Sequence, residues 1–442
     1  MSSRTSQAVR VAVLADSDTR WKWGALTARR IAPGGRPAEL SGFLLRGRAT
    51  PTARQLDEVG ATSADDAPRE VTGVAFLREL REEPYDVVVL ALVGGAVQAL
   101  LHGIAALDLA RRPVVVTGYV GVVYEKLSDG LLLRHGADLV LANSRHDAQR
   151  FRAVYEGVGA DAASVTEAAL PFLGGERYVP ETGRDTLVFA AQPSVPVTRA
   201  DRAYLLRRLV EHARLHPRRE VLLKLRSKPG EHTTHVEEFP YQRLAEKLPG
   251  GLPPNFRLVY GNMGEVLDRT DLLVTVSSTA ALESLHRSIP TAVLTDFGIR
   301  EPLGNHHFIG SGCLASWDQL DGGGRPGADP VWADRQGVAA DGSYASAFDE
   351  ARARLTKLVD TGALPDISPY YTATTAPGYL PGLLARYHLA ADGTPLPSSR
   401  TARAETGGVR RVVREAVRGA ARGAYRHGVQ RVAPVIRRMG EL

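Results

Sequence analysis

Uninterrupted runs of valine and leucine recur along this chain, each separated from the next by a stretch long enough for one helix. Asp86–Leu92 reads Asp-Val-Val-Val-Leu-Ala-Leu, and Pro113–Thr117 reads Pro-Val-Val-Val-Thr. Runs of that kind suit strands covered on both faces, which is the condition of a parallel sheet sandwiched between helices. Val9–Ala15, Leu40–Leu45 and Asp138–Ala142 complete a first set of expected strands. Between them Val71–Arg81, Ala96–Ala110, Tyr124–His135 and Ser144–Tyr155 are expected as helices, with Ser144 as an N-cap directly after a strand.

The pattern then stops and restarts. Leu170–Gly183 carries Pro171, Gly174, Gly175, Pro180 and Gly183, a composition that favours a connection over an element. Beyond it Thr186–Ala191, Glu220–Leu225, Arg257–Tyr260, Asp271–Val276 and Thr291–Leu294 are expected strands. Arg199–Leu215, Tyr241–Leu248 and Thr279–His286 are expected helices. The expected fold class is therefore α/β: two Rossmann-like doubly wound domains facing a cleft, plus a basic C-terminal amphipathic helix. The expected domains are 1–172, 173–365, an arm or linker at 366–400 with several prolines, and a basic tail at 401–442.

Charge divides the chain unevenly. The formal net charge is +6 over 442 residues. Residues 401–442 hold ten Arg and three acids, +7, so the preceding body carries 6 − 7 = −1. Arg410, Arg414, Arg418, Arg422 and Arg426 recur every four residues, as on one face of a helix. That tail is expected to lie on an anionic membrane surface, with a solvated tail as the competing reading. The near-neutral body shows no nucleic-acid motif, and no nucleic-acid partner is expected. A single cysteine, Cys313, excludes an internal disulfide and a cysteine zinc site, and no histidine spacing suggests a metal. The N-terminal apolar run is too short for a signal sequence, and no window reaches the ~20 apolar residues of a spanning helix. A cytoplasmic protein, peripheral on the inner face of the membrane, is the expectation.

Two strand ends carry chemistry. After Asp271–Val276 come Ser277, Ser278 and Thr279, then a helix with Glu283 one turn on and Ser288-Ile289-Pro290 at its end. Unpaired helical N–H groups and three hydroxyls there suit a phosphate, and Glu283 suits ribose hydroxyls; a simple helix cap is the alternative. Lys224 and Arg226 lie two apart at another strand end, followed by Lys228 and His232. Ligands of open parallel sheets sit at the carboxyl ends of strands, where both stretches end.

Those residues resemble the donor domain of a GT-B glycosyltransferase: an apolar strand, a Ser/Thr turn, a helix bearing Glu, then Gly-x-Pro, with Ser288 in place of the Gly. Lys224-x-Arg226 with Ser277-Ser278-Thr279 is similar to motifs of bacterial sialyl-, polysialyl- and Kdo-transferases and of CDP-glycerol glycerophosphotransferases. The usual His-Pro element here reads Arg226-Ser227-Lys228-Pro229, with His232 the nearest histidine. Asp138–Ser144 with Phe151 resembles the end of a GT-B acceptor domain. The resemblance extends to an actinobacterial group of glycosyltransferases.

An inverting transferase also needs a base. The first expected strand runs into Asp16-Ser17-Asp18-Thr19-Arg20-Trp21-Lys22-Trp23. Asp18 is the first choice and Asp16 the second, with helix capping as the alternative for either. Trp21 and Trp23 are expected to offer ring faces to an acceptor sugar, and Gly118 and Gly121 a close-approach loop. His232 is the candidate acid, and His306 and His307 are placed at the donor pocket. The expectation is a metal-independent inverting glycosyltransferase. It would use no cofactor beyond a nucleotide-activated sugar, a CMP-activated ulosonic acid being one donor the resemblance implies. The acceptor would be a cell-surface glycan or a lipid-linked species. A CDP-glycerol-type polyol-phosphate transferase, a sugar-nucleotide epimerase and a non-catalytic membrane-associated scaffold stay open as alternatives.

Overall fold

The computed structural model describes residues 8–34, 36–47, 49–60, 67–122, 127–228, 231, 237–338, 343–362 and 364–397. His232 and the basic tail at 401–442 lie outside the described residues.

The first half alternates strand and helix without exception. The order is β1 (Val9–Ala15), α1 (Asp18–Ile31), β2 (Ala38–Leu45), α2 (Ala53–Val59), β3 (Arg69–Val71), α3 (Gly73–Glu82) and β4 (Val87–Ala91). It continues with α4 (Gly94–Ala105), β5 (Val114–Gly118), α5 (Leu127–Leu132), β6 (Leu139–Ala142), α6 (Arg145–Gly157) and β7 (Val165–Glu167). The strands form one parallel sheet in the order β3-β2-β1-β4-β5-β6-β7. Every residue of β4 and β5 is buried, as their continuous apolar runs require.

The second half alternates in the same way from β8 to β12. Its elements are β8 (Thr186–Ala190), α7 (Arg199–Leu215), β9 (Glu220–Lys224), α8 (Tyr241–Ala245), β10 (Phe256–Val259), α9 (Met263–Leu267) and β11 (Leu272–Thr275). Then come α10 (Ala280–His286), β12 (Thr291–Leu294), β13 (Leu314–Ala315), α11 (Trp317–Asp321) and α12 (Pro330–Arg335). The parallel order is β10-β9-β8-β11-β12-β13. Both sheets therefore start centrally, build outward to one side, and cross back to build on the other. That reversal opens a crevice at the carboxyl ends of β1 and β4, and of β8 and β11.

The chain then returns to the first sheet, which corrects the expected domain limits. Helices α13 (Asp349–Thr361) and α14 (Leu380–Ala385) follow. Phe348, Ala351, Leu355 and Val359 pack in one core with Val9, Val11, Val13 and Trp23. Arg36 pairs with Asp360 at 2.7 Å, and Arg352 donates to the Arg30 carbonyl at 3.0 Å. The expected arm at 366–400 is also part of this fold as far as Pro395. Leu380, Leu383 and Leu384 join the opposite core of the first sheet, and Gln98 and the His102 ring meet the Tyr371 carbonyl at 3.3 and 2.9 Å. The second domain thus ends before α13, because the apolar stripe of that helix is spent on the first sheet.

Candidate active site

Five strand ends converge on one cleft of about 850 Å³. From the first domain it is lined by Asp18, Arg20 and Lys22 after β1, by Glu58 of α2, and by Tyr119 and Val120 after β5. From the second it is lined by Gln192 after β8, Lys224 and Arg226 at β9, and Ser277, Ser278, Thr279 and Glu283 after β11. All six residues expected to hold donor phosphate and nucleotide are thus brought together, with Asp18 opposite them.

Ser17 caps α1, its side chain accepting from the Arg20 N–H, so Asp18 is the first helical residue and not the cap. Asp18 Oδ1 accepts from the Thr19 N–H at 2.7 Å and from Arg226 Nη2 at 2.6 Å; Arg226 also donates to Thr19 Oγ1. Oδ2 makes no hydrogen bond among the described residues. Asp16 does not line the cleft. Its Oδ1 holds Arg20 at 2.8 Å and its Oδ2 caps the Val93 N–H at 3.0 Å. Both oxygens are committed to structure, which removes Asp16 as a base.

Lys224 is 9 % exposed, forms no ion pair among the described residues, and donates only to the Leu225 carbonyl, at 2.8 Å. Burial disfavours its ammonium and brings its pKa down to about 8, against the opposing pull of Glu58. The Ser-Ser-Thr turn is built by its neighbours. Ser277 N–H donates to Gln192 Oε1 at 3.0 Å, and its hydroxyl donates to the Leu303 carbonyl. Ser278 N–H donates to Thr275 Oγ1 at 3.1 Å, while Thr279 Oγ1 caps nothing. Glu283 is held above the usual carboxylate range by burial, against the pull of Lys22, whose Nζ lies 3.8 Å from Oε2.

Ser288 adopts φ +59°, a left-handed residue at the end of α10. Glycine is the residue that favours such a conformation, which explains the Gly-x-Pro pattern from which Ser288-Ile289-Pro290 departs.

The acceptor-side tryptophans require correction. Trp21 and Trp23 are both fully buried in the core between the first sheet and α1. A Cβ at Gly42 would lie 2.6 Å from the Trp21 ring, and one at Gly118 would lie 2.8 Å from Trp23. Neither ring face is open to a sugar. Gly118 is correspondingly a packing glycine, leaving space for the indole. Gly121 lies against the cleft residue Thr279: a Cβ there would lie 2.6 Å from Thr279 Oγ1. His306 and His307 do not line the cleft; the His307 ring packs against Phe308 and Trp332, and burial pushes its pKa down to about 3.

Sequence reasoning missed Gln192, Glu58 and Lys22. Gln192 follows a strand end and was open to the same argument as Lys224. Glu58 gave no local signal; it accepts from the Gly261 N–H of the opposite domain at 3.1 Å, beside an Arg54 that also holds Glu231.

One histidine–carboxylate group among the described residues, His212, His216 and Asp321, has metal-ligand spacing. His212 Nδ1 is engaged by Asp321 at 2.6 Å and Nε2 by Arg219 at 2.9 Å, and Arg208 also pairs with Asp321 at 2.8 Å. A guanidinium on the Asp321 carboxylate and a histidine with both nitrogens engaged suit an ion-pair network, not a dication. Among the described residues no helix is long and apolar enough to cross a membrane.

Two parallel Rossmann-like domains with a cleft between their strand ends define a GT-B protein. The chain belongs to the family described as "Putative glycosyltransferase (DUF6716)", whose model matches residues 11–358. Two solved structures with a TM-score of 0.50 share the fold. The MnaA–UDP co-structure from S. aureus is 12% identical, with a TM-score of 0.50, covering 80% of this chain and 96% of that one. The UDP-GlcNAc 2-epimerase from Neisseria meningitidis bound to UDP-GlcNAc is 10% identical, with a TM-score of 0.50, covering 80% and 99%. A glycotransferase of kitacinnamycin is 15% identical, with a TM-score of 0.41, covering 80% and 98%. No curated protein matches the chain by sequence.

Proposed function

We propose that this protein is an inverting, metal-independent glycosyltransferase that binds a nucleotide-activated sugar on its second domain and an acceptor hydroxyl on its first. The observation that carries the reading is Lys224: a buried ammonium with no carboxylate at ion-pair distance among the described residues, lining a large cleft beside a turn of three hydroxyl residues. A buried cation of that kind is stabilised by an anionic ligand. Arg226 supports it, because its Nε and Nη1 make no hydrogen bond among the described residues while Nη2 is anchored on Asp18. Family membership supports sugar transfer, and two proteins of the same fold, one solved with UDP and one with UDP-GlcNAc, support a nucleotide-sugar donor.

In this reading Asp18 Oδ2 takes the proton of the acceptor hydroxyl. The acceptor oxygen attacks the anomeric carbon from the face opposite the leaving group, and the bond to the phosphate oxygen breaks. The electron pair stays on that phosphate, where Lys224, Arg226 and the Ser277–Thr279 turn offset the developing charge. Glu283 accepts from ribose hydroxyls. The expected acceptor is a cell-surface glycan or lipid-linked species, with a CMP-activated ulosonic acid among the donors. Residues 401–442 would place the enzyme on an anionic membrane surface.

Thermal stabilisation by CMP, CDP, UDP and GDP tests the donor site. At least one nucleotide should raise the melting temperature of the wild type and not of Lys224→Met. No stabilisation by any of them would overturn the reading. Product mass separates sugar transfer from glycerol-phosphate transfer, and an unchanged acceptor mass with an altered donor would indicate epimerisation.

A further inference from the structure

Helix α1 carries opposite charges one turn apart, Asp18 and Lys22, and each meets its complement on the second domain. Arg226 meets Asp18 and Glu283 meets Lys22. The Lys22–Glu283 pair is enclosed, with side chains 16% and 12% exposed. The Lys22 ammonium also lies 4.9 Å from the centroid of the Phe172 ring. Phe172 belongs to the connection between β7 and β8 and packs against cores of both sheets. One ammonium therefore touches the first domain's opening helix, the interdomain connection and the second domain's Glu-bearing helix.

We propose that Lys22 is a positioning residue of the donor site, acting from the first domain to hold the Glu283 carboxylate ionised and oriented toward the hydroxyls of a nucleotide-sugar bound on the second. The proposal rests on the donor-site reading above. A carboxylate accepts both hydrogen bonds of a vicinal diol only when ionised, and burial alone favours its neutral form. The charged and titratable groups facing Glu283 are Lys22 from α1, Lys224 from β9, Arg287 beyond the end of its own helix, and the Tyr344 phenol. Three of these are engaged elsewhere. Arg287 pairs with Asp268 at 2.6 Å and donates to the Gly174 carbonyl, and the Tyr344 hydroxyl donates to the Leu170 carbonyl at 2.7 Å. Lys224 donates to the Leu225 carbonyl and faces the phosphate position. Lys22 is the cation left to Glu283. Ribose recognition is then complete only while the two domains are apposed.

The test is calorimetric titration of UDP, CDP, GDP and CMP into the wild type, Lys22→Met, Lys22→Arg, Glu283→Gln and the Lys22→Met/Glu283→Gln double variant, over about pH 5 to 8. For the nucleotide that binds, Lys22→Met should weaken affinity roughly tenfold at neutral pH, and the loss of affinity on acidification should begin at higher pH than in the wild type. Lys22→Arg should stay close to the wild type. Glu283→Gln should lose the acid-side dependence beyond that set by protonation of the nucleotide's own terminal phosphate, and adding Lys22→Met to it should cost nothing further. Lys22→Met with wild-type affinity and pH profile, or penalties that add in the double variant, would overturn the proposal alone. A wild type that binds none of the nucleotides would overturn the donor-site reading and this proposal with it. If Lys22→Met does not fold, Lys22→Gln takes its place in the same cycle.

Discussion

Arg226 Nη2 donates to Asp18 Oδ1 at 2.6 Å, joining the carboxyl end of β9 in one domain to the first residue of α1 in the other. The pair divides two roles between two atoms of each side chain. Oδ1 anchors the guanidinium, and Oδ2 has no hydrogen-bond partner among the described residues. Asp18→Asn keeps an acceptor for Arg226 and removes the basic oxygen. Nucleotide affinity should then remain within about twofold of the wild type, while turnover falls roughly a hundredfold or more. Arg226→Met should instead weaken nucleotide binding. Paired measurement of affinity and kcat separates the two; an Asp18→Asn enzyme with unchanged kcat would remove Asp18 as base.

Gly121 and Thr279 meet across the same cleft. A methyl group at 121 would fall 2.6 Å from Thr279 Oγ1 but 3.6 Å from its two carbons. Gly121→Ala should therefore disturb the hydroxyl turn through one atom, and nucleotide affinity should drop. Thr279→Ala removes that oxygen, so Gly121→Ala/Thr279→Ala should bind nucleotide no worse than Thr279→Ala alone. A double variant showing the full sum of both losses would mean that the two residues do not share this contact.

Lys224 sets an alkaline limit on donor binding. Its ammonium is brought down from the ordinary lysine value to about 8 by burial. As pH rises through that value the free protein loses the charge that attracts phosphate, and nucleotide affinity should fall. The sign for folding is opposite. Between about 8 and the ordinary value the unfolded chain holds the proton and the folded chain does not, so this group favours the fold increasingly as pH rises. Nucleotide affinity measured against pH should thus decline on the alkaline side while the fold's contribution from Lys224 improves. Lys224→Met should bind weakly and lack the alkaline decline.

Much of this architecture was legible in the residue pattern. Val9–Ala15, Arg199–Leu215 and Thr291–Leu294 form elements with those bounds. Their continuous apolar runs and clear helical stretches leave little choice of conformation. The cleft residues Lys224, Arg226 and Ser277–Thr279 were legible for a related reason, since the carboxyl end of a parallel strand is defined by the strand itself. What failed depends on contacts distant in sequence. The surroundings of Trp21 and Trp23 are set by Gly42 and Gly118, whose missing side chains leave room for the rings. The return of α13 to the first sheet is likewise a tertiary fact, written in no local motif. Lys22 was visible as one turn from Asp18, but its partner Glu283 lies in the other domain.

Trp23 offers a further test, because its Nε1 is buried with no hydrogen-bond partner among the described residues. Removing the ring by Trp23→Ala should destabilise the protein by about 3–5 kcal/mol, as for other large core deletions. Trp23→Phe loses volume as well, but it also removes an unsatisfied polar group, and the two effects oppose each other. Its cost should stay below about 1.5 kcal/mol. Denaturant unfolding reads both numbers directly. If the ring instead contacted an acceptor sugar, Trp23→Phe would raise the acceptor KM while the unfolding midpoint of either variant stayed at the wild-type value.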